Sequence, residues 1–176
     1  MQIKIYDDSL HAHIAASYHN IGDVCQSRRD HNYSSALDYV QKSFIMRFNI
    51  YGNSPHHDII LSYESIGDVY RLQGDFSSAL DYFHICLNMG LEIYGDSPHP
   101  DVAKSYRNIG LVYRSQRDYS SALTWLRRAL AVLPPGLSCN RTQILKITQI
   151  LEWTTQLLVT RMVRTSPPTI QSHSKS

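Results

Sequence analysis

Ser105-Tyr106-Arg107-Asn108-Ile109-Gly110-Leu111-Val112-Tyr113 is the third version of a phrase that this chain uses three times. Ser62-Tyr63-Glu64-Ser65-Ile66-Gly67-Asp68-Val69-Tyr70 is the second, and Ser17-Tyr18-His19-Asn20-Ile21-Gly22-Asp23-Val24-Cys25 is the first. Another phrase follows each of them. Tyr33-Ser34-Ser35-Ala36-Leu37 returns as Phe76-Ser77-Ser78-Ala79-Leu80 and as Tyr119-Ser120-Ser121-Ala122-Leu123, at a constant step of 43 residues. A fixed period of this size marks stacked units, none of which can bury its apolar face alone.

Each unit reads as two helices. Tyr63, Ile66, Gly67 and Tyr70 fall at i, i+3, i+4 and i+7, and Tyr106, Ile109, Gly110 and Tyr113 repeat that face. The first helices are predicted over roughly 11–27, 57–73 and 100–116, and the second over roughly 33–50, 76–94 and 119–133. Pro100 is tolerated in a first turn, where its missing N–H has no intrahelical partner. A glycine inside a helix costs about 1 kcal/mol against alanine. Its recurrence at one register implies close approach of a second helix. Ala36, Ala79 and Ala122 are expected to face it, with Phe83 and Leu126 filling the core four residues on. The paired serines suit a helix start. His31-Asn32 is an insertion in the first unit's turn, which a surface loop accepts at small cost.

The two ends depart from the pattern. Ile5-Tyr6-Asp7-Asp8-Ser9-Leu10-His11 aligns with Ile50-Tyr51-Gly52-Asn53-Ser54-Pro55-His56 and Ile93-Tyr94-Gly95-Asp96-Ser97-Pro98-His99. In the later copies this is a helix end, a glycine stop and a loop. Residues 1–10 thus read as the remnant of a preceding repeat, and the chain as a fragment or truncated product. Beyond Pro135 the phrases stop. Where Asn-Ile-Gly is due, Gln149-Ile150-Leu151-Glu152-Trp153 stands. One set of codons for that stretch, read two bases later, encodes Asn-Ile-Gly-Val, which gives the expectation of a frame-shifted repeat. As written, residues 135–165 are expected to be irregular or to cap the stack. A helix over 142–163 would turn Ile144, Ile147, Leu151 and Leu158 inward. Residues 166–176 are polar, contain Pro167-Pro168 and are expected to be disordered.

Composition narrows the function classes. With 43% hydrophobic and 18% charged residues the chain fits a folded protein. A formal charge of +2 is too small to argue for nucleic acid or an anionic membrane. Cys25, Cys86 and Cys139 share no spacing and read as reduced thiols in a reducing compartment, which makes the cytoplasm the expected location. No apolar run reaches the ~18 residues of a membrane span, and the start lacks a signal peptide's apolar core. His56-His57-Asp58 invites a metal reading, but its counterparts His99-Pro100-Asp101 and His11-Ala12-His13 sit in loops a whole repeat apart, and zinc needs three or four convergent ligands. The tyrosines could stack bases, yet their helical spacing reads as core. No serine or cysteine stands beside a recurring base, and no Gly-rich phosphate loop is present. Neither an enzyme nor a cofactor is expected.

The register Tyr63, Ile66, Gly67, Tyr70, Ala79, Phe83, followed by Tyr106, Ile109, Gly110, Tyr113, Ala122, Leu126, Ala129 and Pro134, resembles the tetratricopeptide (TPR) repeat. The period exceeds the usual ~34 residues. That added length, the linker from Gly95 to Ala103 and the Asn-Ile-Gly at 108–110 are similar to kinesin light chain repeats. The resemblance spans about residues 5–134. It implies an all-α solenoid, a right-handed superhelix of helix pairs, with three units at about 11–50, 56–94 and 99–134. It also implies a non-catalytic scaffold that binds a segment of another protein, acidic where the kinesin light chain analogy holds. Three units are fewer than that family carries, and the coiled coil that joins motor chains is absent.

In such a stack the first helices line the concave side. The face opposite the Tyr-Ile-Gly-Tyr stripe then supplies the candidate peptide contacts. These are His19, Asn20, Asp23 and Gln26, then Glu64, Ser65, Asp68 and Arg71, then Lys104, Arg107, Asn108 and Arg114. A carboxamide can grip peptide backbone from both sides, and arginines can fork onto carboxylates. The groove turns from mixed to basic along the chain, so an acidic end is expected over Lys104, Arg107 and Arg114. The competing expectation is a purely structural fragment that self-associates through the open ends of its stack.

Overall fold

The computed structural model describes residues 13–16, 18–20, 33–52, 54–95, 97–133 and 141–165, and these are helical with short connections. Six bounded helices follow one another: α1 (Tyr33–Tyr51), α2 (His57–Gln73), α3 (Phe76–Tyr94), α4 (Pro100–Ser115), α5 (Tyr119–Ala131) and α6 (Arg141–Thr165). Residues 13–16 and 18–20 belong to the helix preceding α1. The turn insertion His31-Asn32, the start 1–10 and the tail 166–176 lie outside the described residues.

Packing runs in chain order, with α2 against α3 and α4 against α5 as the most extensive contacts. Helix α4 also touches α2, and α6 touches α4, whereas consecutive second helices make no comparable contact. First helices therefore stand closer together than second helices. That asymmetry curves the stack and puts α2, α4 and α6 on its inner wall. This is an all-α helix-pair solenoid.

The glycine of each first helix lets the pair close up. Gly67 and Gly110 are both buried. A Cβ added at Gly67 would sit 2.8 Å from the Phe83 ring; one at Gly110 would sit 3.0 Å from Leu126 Cγ and 3.3 Å from the Ala122 carbonyl oxygen. Ala122 does lie against Gly110, through its carbonyl, but the group nearest each glycine is the bulky residue four positions on from the alanine, which fills the space the glycine leaves. Phe83 and Leu126 are fully buried and anchor two successive apolar clusters. The serine pairs stand at the starts of the second helices, as expected, and the preceding aspartates are the caps. Asp75 and Asp118 accept from the backbone N–H groups of Ser78 and Ser121, each at 3.1 Å, so the serines lie inside the first turn.

The linkers between units repeat one clamp. His56 and His99 are N-caps in extended conformation whose Nδ1 atoms accept from the N–H of Asp58 and Asp101, at 3.1 and 3.2 Å. Each histidine ring stacks on the tyrosine that ends the previous helix, Tyr51 at 3.6 Å and Tyr94 at 3.4 Å between centroids. Those tyrosines donate to Asp58 and Asp101 at 2.8 and 2.9 Å. The chain reverses between them at Gly52 and Gly95, both with positive φ, where a side chain would be strained. Burial and the hydrogen bond to the Asp101 carboxylate push the Tyr94 phenol up to about 12.

Helix α6 takes the place of a further first helix. Ile147 is fully buried, and Ile144 and Leu151 pack on the same cluster. Leu158 is half-buried, while Leu145, Trp153, Val159, Met162 and Val163 are exposed.

Gly67→Ala is expected to destabilise the fold by about 1–2 kcal/mol, as overpacking against Phe83 outweighs the gain in helix propensity. Adding Phe83→Leu should recover part of that loss, since Leu126 tolerates the equivalent glycine at longer range; urea midpoints of the two variants measure it. The Tyr94 clamp carries a pH signature. Its phenol binds its proton more tightly folded than unfolded, so its stabilisation is complete below pH ~10 and is lost as pH rises towards ~12. Tyr94→Phe should flatten the stability profile over that window, checked by chemical denaturation at stepped pH.

Candidate functional site

The inner wall between α2 and α4 carries a polar cluster built from the face opposite the glycine stripe. Lys104 Nζ donates to Glu64 Oε2 at 2.7 Å across the two helices. Arg71 forks onto Asp68 Oδ1 through Nε at 3.1 Å and Nη2 at 2.9 Å. Arg107 Nη2 donates to the neighbouring Asn108 Oδ1 at 3.1 Å. Ser65 Oγ lies 3.4 Å from His19 Nδ1, joining the first unit to the second.

The structure thus brings Glu64, Asp68, Arg71, Lys104, Arg107 and Asn108 together, and Ser65 with His19. Asn20 is exposed. Arg114 is half-buried, with its guanidinium 5.2 Å from the centre of the Trp153 ring. Asp23 and Gln26 lie outside the described residues. Burial differs most from a solvated groove: Glu64 is 3% exposed and Asn108 2%. The cause is the close approach of consecutive first helices, which covers whatever points along the wall.

That burial sets the electrostatics. Desolvation pushes the Glu64 carboxyl above its ordinary range, and the Lys104 ammonium opposes this only in part. Burial lowers the Arg107 guanidinium, with Asp68 and Glu64 pulling the other way, and burial likewise lowers Arg114. Glu64 Oε1, Arg107 Nε and Asn108 Nδ2 are buried and have no hydrogen-bond partner among the described residues. Orphaned buried groups of this kind typically cost about 1–3 kcal/mol each. All three lie in one patch closed off from solvent between α2 and α4.

The family model for the tetratricopeptide repeat matches residues 13–89 and 58–134. The chain belongs to the tetratricopeptide repeat family. A TPR protein of known structure, the kinesin light chain from Podosopora anserina with nearly identical TPR-like repeats, superposes with a TM-score of 0.68 at 14% identity, covering 84% of this chain and 67% of that one. BtubC (BKLC) from P. vanneervenii gives 0.59 at 15% identity over 92% and 69%. The N-terminal domain of stress-induced protein-1 (STI-1) from C. elegans gives 0.52 at 19% identity over 81% and 97%. At these identities the likeness is one of fold. No curated protein matches the chain in sequence.

TPR repeats generally mediate protein–protein interaction, and TPR scaffolds are typically non-catalytic. Among the described residues no helix is long and apolar enough to cross a membrane, and no group of three His, Cys, Asp or Glu converges on a metal position. His56 and His99 serve the linker clamp instead. The sequence held the signal for that clamp in the repeated Tyr-Gly-x-Ser-Pro-His-x-Asp, though reading it as a plain helix stop missed the stacking and capping roles. Cys86 is buried, donates to the Ile60 carbonyl at 3.6 Å, and has its thiol pushed well up by desolvation; Cys25 and Cys139 lie outside the described residues.

The Glu64–Lys104 pair responds asymmetrically to mutation. Lys104→Ala leaves a buried carboxylate alone and is expected to cost about 2 kcal/mol at neutral pH. Glu64→Gln leaves a half-exposed ammonium that water can reach and should be near neutral. Because the Glu64 carboxyl is already raised, it takes up a proton readily, so the Lys104→Ala penalty should shrink as pH falls towards ~4. Denaturation midpoints at neutral and acid pH check both points.

Proposed function

We propose that this TPR protein is a non-catalytic scaffold whose concave wall binds a peptide segment of another protein, with acidic side chains of that segment over Arg107 and Arg114. The observation that carries the reading is the charged inner wall itself, where Asp68, Arg71, Lys104, Arg107 and Arg114 lie part-exposed on the face of α2 and α4 away from the glycine stripe. The two carboxylates of the cluster already hold Lys104 and Arg71. Arg107 and Arg114, both depressed by burial, then gain most from an incoming carboxylate. His19, Asn20 and Ser65 extend the same wall towards the first unit, where Asp23 and Gln26 continue the register. Nucleic acid, membrane and cofactor are not invoked by this reading, and a cytoplasmic setting fits it.

A second reading, self-association through the end of the stack, draws on the exposed Leu145, Trp153, Val159, Met162 and Val163 of α6. Apolar area of this kind on one helix is an association surface when contiguous. Sedimentation velocity across a dilution series separates the two, because a monomer at all concentrations removes the second without touching the first.

An acidic peptide titrated by fluorescence anisotropy should bind the full chain with affinity that falls as salt rises. Arg107→Gln and Arg114→Gln should each weaken it by about fivefold to tenfold, the equivalent of one charge-assisted hydrogen bond. Equal affinities for wild type and both variants would reject the groove.

A further inference from the structure

The turn between α4 and α5 departs from its counterpart in one residue. In the second unit Gln73-Gly74-Asp75 reverses the chain, with Gly74 in the left-handed region at φ 86°. In the third unit the same place holds Gln116-Arg117-Asp118, and Arg117 adopts φ 63°. Among the described residues it is the one non-glycine with positive φ. A left-handed arginine is strained where a glycine would not be. Such strain at a turn that needs no arginine for its geometry points to a use for the side chain.

Helix α6 supplies the setting. Its 25 residues outrun the 16 of α4, so its last turns pass the α4–α5 turn. Arg161 donates through Nη1 to the Arg117 carbonyl at 2.8 Å, tying the two segments together. Between them lies a cavity of about 540 Å³ lined by Gln116, Arg117, Tyr119, Leu157, Thr160, Arg161 and Arg164. A shallower continuation reaches Asp118 and Ser120. The nearest carboxylate, Asp118, is engaged in capping α5 through Ser121 and is held low by that bond. Arg117, Arg161 and Arg164 therefore line one cavity, and Asp118, the carboxylate beside it among the described residues, is committed to the helix cap. Leu157 and the Tyr119 ring give it an apolar floor, and Thr160 adds a hydroxyl.

We propose that this cavity is a binding site for a phosphate group, gripped by Arg117, Arg161 and Arg164. Guanidinium forks match the oxygens of a tetrahedral dianion, and Arg117 from the turn and Arg164 from α6 line the cavity together, with Arg161 adding positive charge while it holds the Arg117 carbonyl. The shared chemistry fits free inorganic phosphate or a phosphorylated side chain of a bound protein segment. The residues are distinct from those of the concave wall, so the two sites stand or fall separately.

Isothermal titration of the full chain with inorganic phosphate, and separately with a phosphoseryl peptide and its unphosphorylated form, tests the site at fixed ionic strength. Arg164→Gln should weaken phosphate binding by about fivefold. Arg117→Gly is the sharper variant. It should weaken binding by a similar factor while raising the thermal midpoint, because glycine relieves the left-handed strain. An arginine present only to hold the turn would instead lower that midpoint on removal. Tighter binding of the phosphoseryl peptide than of inorganic phosphate identifies a protein-borne ligand; the reverse order identifies the free anion. Absence of binding by both, or binding unchanged in Arg117→Gly and Arg164→Gln, overturns the proposal.

Discussion

The seating of Phe83 and Leu126 in the gaps left by Gly67 and Gly110 is the constraint on which the stack depends. Each unit is a pair of helices that must approach closely enough for one bulky side chain to cross to the other backbone. A methyl group on either glycine already collides with that side chain. The helix pays for this in conformational freedom, about 1 kcal/mol per glycine. What it gains is a fully buried ring or branched chain, typically worth about 1.5–3 kcal/mol by area. The balance is favourable only while the pair stays closed, which makes the glycine register and the bulky register inseparable.

Much of this was legible in the sequence because repetition substitutes for alignment. Three copies of one phrase reveal which positions the fold holds constant and which it releases. Tyr63, Ile66 and Gly67 recur as Tyr106, Ile109 and Gly110, while Glu64 becomes Arg107 at the equivalent place, a reversal of charge that packing would not demand. The helix bounds of α2 and α3 follow directly from the period and the flanking proline, glycine and aspartate. Which side chain comes nearest each glycine did not follow, because register along two antiparallel helices is a matter of offset by one turn, and sequence spacing does not carry the offset. The capping role of Asp75 and Asp118 was not read either, since aspartate or serine can cap and only geometry chooses.

The candidate wall was legible as a list and illegible as an environment. Spacing placed Glu64, Asp68, Lys104, Arg107 and Asn108 on one face, but their burial arises from how closely α2 and α4 approach. That distance is set across units, by the linker clamp of Tyr94, His99 and Asp101 and by the apolar cluster beneath it. No single-helix pattern contains it. The histidines illustrate the same limit: a His beside an Asp reads as a ligand pair in one dimension, while in three dimensions its ring lies flat on a tyrosine and its nitrogen is spent on a helix cap.

Polar burial and tight packing are linked in this architecture. Closing the helix pairs forces the first helices together, and that in turn removes water from the side chains along the inner wall. A buried charge there is held as a pair, which is how Glu64 and Lys104 are arranged. The same packing that gives the solenoid its stability therefore decides which polar groups the wall presents to solvent: the ends of Asp68, Lys104 and Arg114 stay part-exposed, while Glu64 and Asn108 are closed off between the helices.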